Sequence, residues 1–274
     1  MTTPIHIRAY RLLRRTLPQK WVFQLSSKAL LAQNLIKYRD HTMPMMIGIE
    51  ITSHCNRHCA YCPQSLDHLK PRWIDPITFN QILERIAELD WSGMVSFNHF
   101  NEPTMDKHLE DRVAATRKAL PKASLVLYTN ADALDEARMH KLIAAGMTKF
   151  QITRHPPFTQ KWDDRILPLA EKYPQYISCH VIEGTALYTQ TGIIKPANRV
   201  DLSKGCHQTA SQMTITIDGD YLFCCCDYNK TEIMGNVFKQ PILRAWNRMK
   251  YKQARASVRQ GVPVLDVCKK CFEE

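Results

Sequence analysis

Apolar residues recur along the chain in two rhythms. "MIGIEI" (46–51), "MVSF" (94–97), "SLVLY" (124–128), "KFQIT" (149–153) and "YISCHVI" (176–182) are short runs rich in β-branched and apolar side chains, and each predicts a strand. Between them the spacing widens to that of a helix. Phe79, Ile82, Leu83, Ile86 and Leu89 follow Asp75-Pro76, an N-cap with proline in the first turn. Leu109, Val113 and Leu120 mark a second helix. Asp135 opens a third, carrying Met139, Leu142 and Ile143, and Gly146 ends it. A weaker helical stretch covers about 160–172. This alternation predicts parallel strands joined by right-handed crossovers, and so an α/β fold of open or closed (β/α) barrel type. In such a sheet chemistry gathers at the C-terminal ends of the strands.

The rhythm changes after about residue 184. "QMTITIDGDYLFCC" (212–225) predicts a hairpin that turns at Asp218-Gly219. A last helix starts near Pro241, with Ile242, Trp246 and Met249 on one face. Three segments follow: a helical extension (1–44), a barrel (45–189), and a small C-terminal domain of hairpin plus helix (190–274).

Charge separates the extension from the rest. The net charge is +11, yet the chain carries eight basic residues before Asp40, its first acidic one; beyond them stand 29 basic against 26 acidic side chains. The body is close to neutral, so a nucleic-acid footprint is not expected. The extension reads as a packed helical layer, or as an arm for a membrane or a partner. No apolar run in the sequence is long enough to span a bilayer, and the start lacks the apolar core of a secretory signal. A cytoplasmic, reducing compartment is expected. There the ten cysteines read as metal ligands and not disulfides.

Three of them, Cys55, Cys59 and Cys62, stand on the loop after the first strand. Three thiolates on one loop can bind three irons of a cube and leave the fourth open to a small molecule. A zinc ion completed by His54 or His58 suits the same spacing. Tyr61 beside Cys62, the position after strand one and a second cysteine set favour the cluster. That second set is Cys206, Cys224, Cys268 and Cys271, enough to close a cluster or a four-cysteine zinc site. The run Cys224-Cys225-Cys226 leaves its ligand open by one or two positions. Cys179, Cys225 and Cys226 are spare, fit for packing or for donating a hydrogen atom.

The pattern Cys55-x3-Cys59-x2-Cys62 with Tyr61 resembles the radical S-adenosylmethionine (radical SAM) enzymes. The resemblance implies a partial (β/α)6-type barrel and a [4Fe–4S] cluster whose open iron chelates S-adenosylmethionine. Reductive cleavage then yields a 5′-deoxyadenosyl radical that removes hydrogen from an unactivated C–H. Glu102-Pro103 stands where the family has Gly-Gly-Glu-Pro, with Phe100 and Asn101 in place of the glycines. The resemblance implies that Glu102 accepts from the cofactor's ammonium and that Thr129 and Asn130 face the cofactor. The family's Ser-x-Asp segment is replaced by "ITRHPP", which puts Arg154 and His155 at a strand end as candidates to bind or deprotonate a substrate. His99, His180 and His207 read as packing or surface residues. The spacing of Cys206, Gly219, Cys224, Cys268 and Cys271 is similar to the SPASM auxiliary-cluster domain in its shorter, twitch form. It implies an auxiliary [4Fe–4S] cluster that carries electrons.

Three functions follow. The first is oxidation of a hydroxylated, sugar- or aminocyclitol-like small molecule, with the auxiliary cluster accepting an electron and a flavodoxin or ferredoxin as reducing partner. The second is modification of a ribosomal peptide by crosslinking, thioether formation or epimerisation. The third is a basic metalloprotein without catalysis, which has no need of the segments at Glu102 and Thr129.

Overall fold

The computed structural model describes residues 42–66, 70–203, 205–206 and 208–273. The basic extension and His207 lie outside them. Among the described residues no helix is long and apolar enough to cross a membrane.

All five strands expected from the apolar runs form: β1 (Met46–Ile49), β2 (Met94–Ser96), β3 (Ser124–Thr129), β4 (Lys149–Arg154) and β5 (Ile177–Val181). Helices alternate with them: α1 (Pro76–Ala87), α2 (Leu109–Ala119), α3 (Glu136–Ala144) and α4 (Gln160–Lys172). The helix starts are set as the sequence predicts. Asp75 accepts the amides of Ile77 and Thr78, and Asp135 accepts that of Arg138. Gly146, at φ 114°, takes the left-handed turn after α3.

The C-terminal part adds α5 (Gln208–Ser211), β6 (Gln212–Ile215), β7 (Asp220–Leu222), β8 (Ile233–Asn236), α6 (Ile242–Trp246), α7 (Met249–Arg259) and α8 (Asp266–Phe272). One open sheet results, in the order β5-β4-β3-β2-β1-β6-β7-β8. β1 to β6 run parallel; β7 and β8 are antiparallel additions. The sheet therefore passes without a break across the junction expected at 189/190. β6, read from sequence as half of a separate hairpin, is the sixth parallel strand through its pairing with β1. The hairpin turn is where it was expected, with Gly219 at φ 80°. The single last helix is three. The chain bends at Asn247-Arg248, so Met249 is exposed and shares no face with Trp246. β8 escaped notice because it is four residues long and contains Gly235.

Register sorts the two faces of the sheet. Ile47, Val95, Leu125 and Met213 lie side by side and are wholly buried on one face. The buried positions of α1 to α4 include Ile82, Ile86, Val113, Leu142 and Ile166. They supply the apolar layer that this face needs, since right-handed crossovers keep consecutive helices on one side. The opposite face is polar. Gly48 lies between Ser96 and Thr214, Val126 of β3 pairs with Ser96, and two residues further along β3 Tyr128, Gln151 and Ser178 form a second row on the same face. A sheet with one polar face toward its own hollow can receive a polar small molecule.

Candidate active site and cluster sites

The cysteine loop leaves β1 and returns before α1. Its base is closed by a bridge between Thr52 and Trp73, with Ser53 N on Arg72 O at 2.9 Å and Ile74 N on Ile51 O at 2.9 Å. Its far end is tied to the ends of β3 and β4. Arg57 donates twice to Asp132, at 2.6 and 2.6 Å, and once to His155 O at 3.0 Å. Asn56 joins Asp132 at 2.9 Å and accepts from Asn130 Nδ2 at 2.8 Å. Cys62 N bonds Cys59 O at 2.9 Å, which turns the chain between the second and third thiols. Cys55, Cys59 and Cys62 are each partly exposed. Burial pushes the Cys55 thiol up to about 11 and raises Cys62 as well. Thiols so placed shed their protons when a cation meets them, which suits this loop to a metal cluster.

Glu102 is the organising carboxylate beside the loop. It is 3 % exposed. Oε1 accepts from Thr129 Oγ1 at 2.6 Å, Thr104 Oγ1 at 2.7 Å and Thr104 N at 3.1 Å; Oε2 accepts from Asn130 N at 2.7 Å. Burial raises its pKa, against the pull of these donors. Of the two oxygens, Oε2 retains room for a further donor, such as an ammonium. The backbone of His54 is drawn in too, accepting from Glu102 N at 3.0 Å. Asn101 replaces a glycine by holding the turn itself: its Oδ1 accepts from His99 N at 2.7 Å and its Nδ2 donates to Phe97 O at 3.2 Å. Trp162 on α4 donates to Asn130 O at 2.8 Å and so fixes the turn after β3 from behind. Thus Tyr61, Glu102, Thr129 and Asn130, from three separate segments, come together at the C-terminal strand ends.

Arg154 and His155 part company. His155 turns to the loop, where Tyr61 Oη meets its Nδ1 at 2.5 Å. Burial, then the charges of Arg57 and His180, hold its pKa down to about 4, and burial keeps Tyr61 protonated. Tyr61 is therefore the donor to a neutral ring, which leaves the hydrogen on Nε2. Arg154 alternates to the other side of β4. It pairs with Asp163 of α4 and lies over Phe158 at 4.5 Å, with Nε buried and unpartnered. The clamp expected of it is thus spent on α4 in this arrangement.

The second cysteine set converges on one enclosed cavity. Cys206, Cys224, Cys226, Cys268 and Cys271 all line it, with Val258 and Val267 among the apolar wall. Each of the five is at most 8 % exposed. α8 carries Cys268 and Cys271 one turn apart on its buried side. Gly205, at φ 96°, lets the chain pass Arg259, whose carbonyl would lie 2.0 Å from any Cβ there. Cys224 to Asp227 form a turn and not a strand, closed by Asp227 N on Cys224 O at 3.2 Å, and Cys226 N donates to Cys224 Sγ at 3.3 Å. Cys225 does not line the cavity. Its thiol nevertheless hydrogen-bonds those of Cys224 and Cys226, and burial first and its charge second push up the phenol of Tyr128 on β3. Asp227 is fully buried and caps the turn through Glu232 N at 2.8 Å. All ten cysteines are free. Among the described residues no three His, Cys, Asp or Glu side chains close on a single metal ion.

Sequence reading missed Glu50, Arg57, Asp132, Trp162 and Lys230. The one available signal was Glu50, a charge set at the end of an otherwise apolar strand.

A profile of the radical SAM superfamily matches residues 49–155, and one described as an iron–sulfur cluster-binding domain, SPASM, matches 206–272. The chain is 31% identical over 231 residues to an S-adenosyl-L-methionine-dependent 2-deoxy-scyllo-inosamine dehydrogenase of Niallia circulans, covering 82% of this chain and 92% of that protein. Among solved structures, BtrN in complex with AdoMet and 2-DOIA has a TM-score of 0.76 at 28% identity, over 84% of this chain and 94% of that one. The anSMEcpe structure with bound AdoMet, at 12% identity and a TM-score of 0.58 over 83% and 91%, shares the fold alone. The chain belongs to the radical SAM superfamily: it is an oxidoreductase of S-adenosylmethionine and [4Fe–4S] clusters, with a SPASM-type domain at its C-terminal end.

Proposed function

We propose that the protein is a dehydrogenase that oxidises a secondary alcohol of an aminocyclitol or a similar hydroxylated ring to a ketone. The observation that carries this is the 31% identity to 2-deoxy-scyllo-inosamine dehydrogenase across 92% of that protein. The hydroxyl- and amide-rich face of Ser96, Tyr128, Gln151, Ser178 and Thr214 supports it, because such a face offers many hydrogen bonds and little apolar area. The peptide-modifying alternative has no comparable support.

Cys55, Cys59 and Cys62 would hold the cluster that takes S-adenosylmethionine; Cys206, Cys224, Cys268 and Cys271 would hold the auxiliary one. When bound, these cofactors supply an acceptor for a hydrogen atom and an acceptor for an electron. The chain's own residues then position and exclude. Glu102 locks the ends of β2 and β3 through Thr104, Thr129 and Asn130 and keeps one acceptor site toward an ammonium. Tyr61 orients His155 by donating to its Nδ1. Arg57 and Asp132 hold the cysteine loop down on the strand ends. A reduced cytoplasm with a flavodoxin- or ferredoxin-class donor suits ten free cysteines.

The test is anaerobic turnover of 2-deoxy-scyllo-inosamine with S-adenosylmethionine and a reductant. The expected result is one ketone, two mass units lighter, per 5′-deoxyadenosine. A product of unchanged mass in ordinary water, and one mass unit heavier when made in deuterium oxide, would point to epimerisation and sink the reading.

A further inference from the structure

Four buried polar atoms without a hydrogen-bond partner sit on one short segment, the C-terminal end of β2. They are Ser96 Oγ, Asn98 Oδ1 and both ring nitrogens of His99. The His99 side chain is 1 % exposed. Buried polar atoms are ordinarily bonded, and a group of orphans at one place marks where a polar ligand belongs. The segment borders the polar face of the sheet. Gly48 lies between Ser96 and Thr214 there, and a Cβ on it would come within 3.0 Å of Asn98 O and 3.5 Å of Ser96 Oγ. Glycine keeps that floor clear.

Glu50, next on the same face of β1, supplies a charge. Its Oε1 lies 3.6 Å from His99 Nδ1, an ion-pair distance longer than a hydrogen bond. Its Oε2 accepts from Lys230 Nζ at 2.9 Å and from Ile217 N at 3.0 Å. Burial opposes the charge, but His99 and Lys230 outweigh it and bring the Glu50 pKa down to about 2. Lys230 comes from the turn that follows Cys224-Cys225-Cys226 and sits at a left-handed φ of 54°. Tyr228, from the same turn, meets Phe100 edge-on at 5.0 Å, and Phe100 meets His99 at 4.4 Å. The segment that follows the auxiliary cysteines therefore closes over this end of the sheet. Glu50, Lys230 and Tyr228 are the titratable groups that face His99 and its aromatic neighbour.

The carboxylate sets the roles of the ring atoms by electrostatics: Nδ1 carries the proton toward Glu50, and Nε2 keeps its lone pair. His155 is arranged the opposite way, with Nδ1 accepting from Tyr61. Of these two histidines at strand ends, His99 has the free acceptor nitrogen backed by a carboxylate.

We propose that His99, positioned by Glu50, takes the hydroxyl proton of the substrate, and that Ser96 and Asn98 bind neighbouring hydroxyl or amino groups of the same ring. This rests on the dehydrogenase reading above. Turning a carbinol into a ketone removes one hydrogen atom from carbon, one proton from oxygen and one electron. The C–H and O–H bonds break and the second C–O bond forms. The hydrogen atom and the electron go to the cofactors already named. The proton goes to His99 Nε2, and Glu50 stabilises the imidazolium, a division of labour familiar from histidine–carboxylate pairs.

The test uses the full chain, loaded anaerobically with its clusters and S-adenosylmethionine, and 2-deoxy-scyllo-inosamine as the probe. Binding is read by equilibrium dialysis, and kcat/KM is read across pH. His99→Phe is expected to weaken probe binding by about 10- to 100-fold while the affinity for S-adenosylmethionine stays the same. His99→Gln keeps a hydrogen-bonding side chain that cannot hold a proton. It is expected to bind the probe within about tenfold of the unaltered protein, to lose about 10²- to 10⁴-fold in kcat, and to lose the fall of kcat/KM at low pH. Glu50→Gln is expected to move that fall to lower pH. Unchanged probe binding in His99→Phe, or a fall at low pH that survives in His99→Gln, overturns the proposal and leaves the dehydrogenase reading standing. If the unaltered protein neither binds nor oxidises the probe, that reading falls, and this proposal falls with it.

Discussion

Two sets of cysteines lie in this chain, and their surroundings differ. Cys55, Cys59 and Cys62 sit on a loop, each partly exposed, held in place by ties that come from outside the loop: Arg57 to Asp132, Asn56 to Asn130, Glu102 to His54. Cys206, Cys224, Cys268 and Cys271 sit in an enclosed cavity, each at most 8 % exposed, walled by Val258, Val267 and Phe272. Three thiols at an accessible strand end leave a coordination place that a small molecule can reach. Behind the apolar wall, where Cys226 is a fifth lining thiol, four thiols would be enough to leave none, and low dielectric with limited solvent suits a centre that only passes electrons. The difference teaches that cysteine number and burial change together: the site that must admit a ligand gives up one thiol and part of its cover.

The sharpest way to break this comparison is to remove one thiol from each site. Cys59→Ala is expected to abolish S-adenosylmethionine cleavage, read as 5′-deoxyadenosine after reduction. Cys271→Ala is expected to leave cleavage largely intact and to stop ketone formation; normal product from it would deny the enclosed site its electron-accepting part. Next in size is Glu102→Gln. It trades one acceptor oxygen for a donor inside a ring of donors, which costs about 1–3 kcal/mol for each buried partner left unsatisfied. Affinity for S-adenosylmethionine should fall by about 5- to 150-fold, measured by dialysis. The turn at Cys224 sharpens the comparison further. Cys226→Ser should perturb the electron paramagnetic resonance of the reduced auxiliary cluster, because Cys226 lines the cavity, whereas Cys225→Ser, which touches the site only through the thiols of Cys224 and Cys226, should keep the iron content and perturb the spectrum less. The smallest effect is expected from Arg57→Ala. Losing a partly buried bidentate pair is worth about 1 kcal/mol, or roughly 2–4 °C in melting temperature for a chain of this size.

Much of the barrel was legible before any coordinates. Five strands and four helices follow from local rhythm, because burying one face imposes a period of two on a strand and about 3.6 on a helix. Asp75, Asp135 and Gly146 act locally, through backbone groups within a turn, so their roles can be read from neighbours in sequence. Both cysteine sets were legible for a similar reason, since a cluster demands a donor type that little else in a reducing compartment requires. The extent of β6 was not. Residues 212–215 look like half a hairpin until β1, more than 160 positions earlier, is seen to pair with them. The split of α6 from α7 hid as well, because apolar spacing continues across the bend at Asn247.

The amino-acid sequence by itself determined the α/β class, the chemistry of the two cysteine sets and the family to which they point. Each of these depends on residue type and short-range spacing. Tertiary structure decided which way the polar side chains face. Arg154 went to Asp163 on the helix side, His155 accepted a hydrogen bond from Tyr61, Cys226 came to line the C-terminal cysteine pocket, and His99 met Glu50 beside Lys230. Arg154 and Asp163 are nine residues apart, but Tyr61 and His155 are 94 apart and Glu50 and Lys230 are 180 apart. A hydrogen bond or ion pair is set by distance and direction in space, and no local period along the chain carries that information.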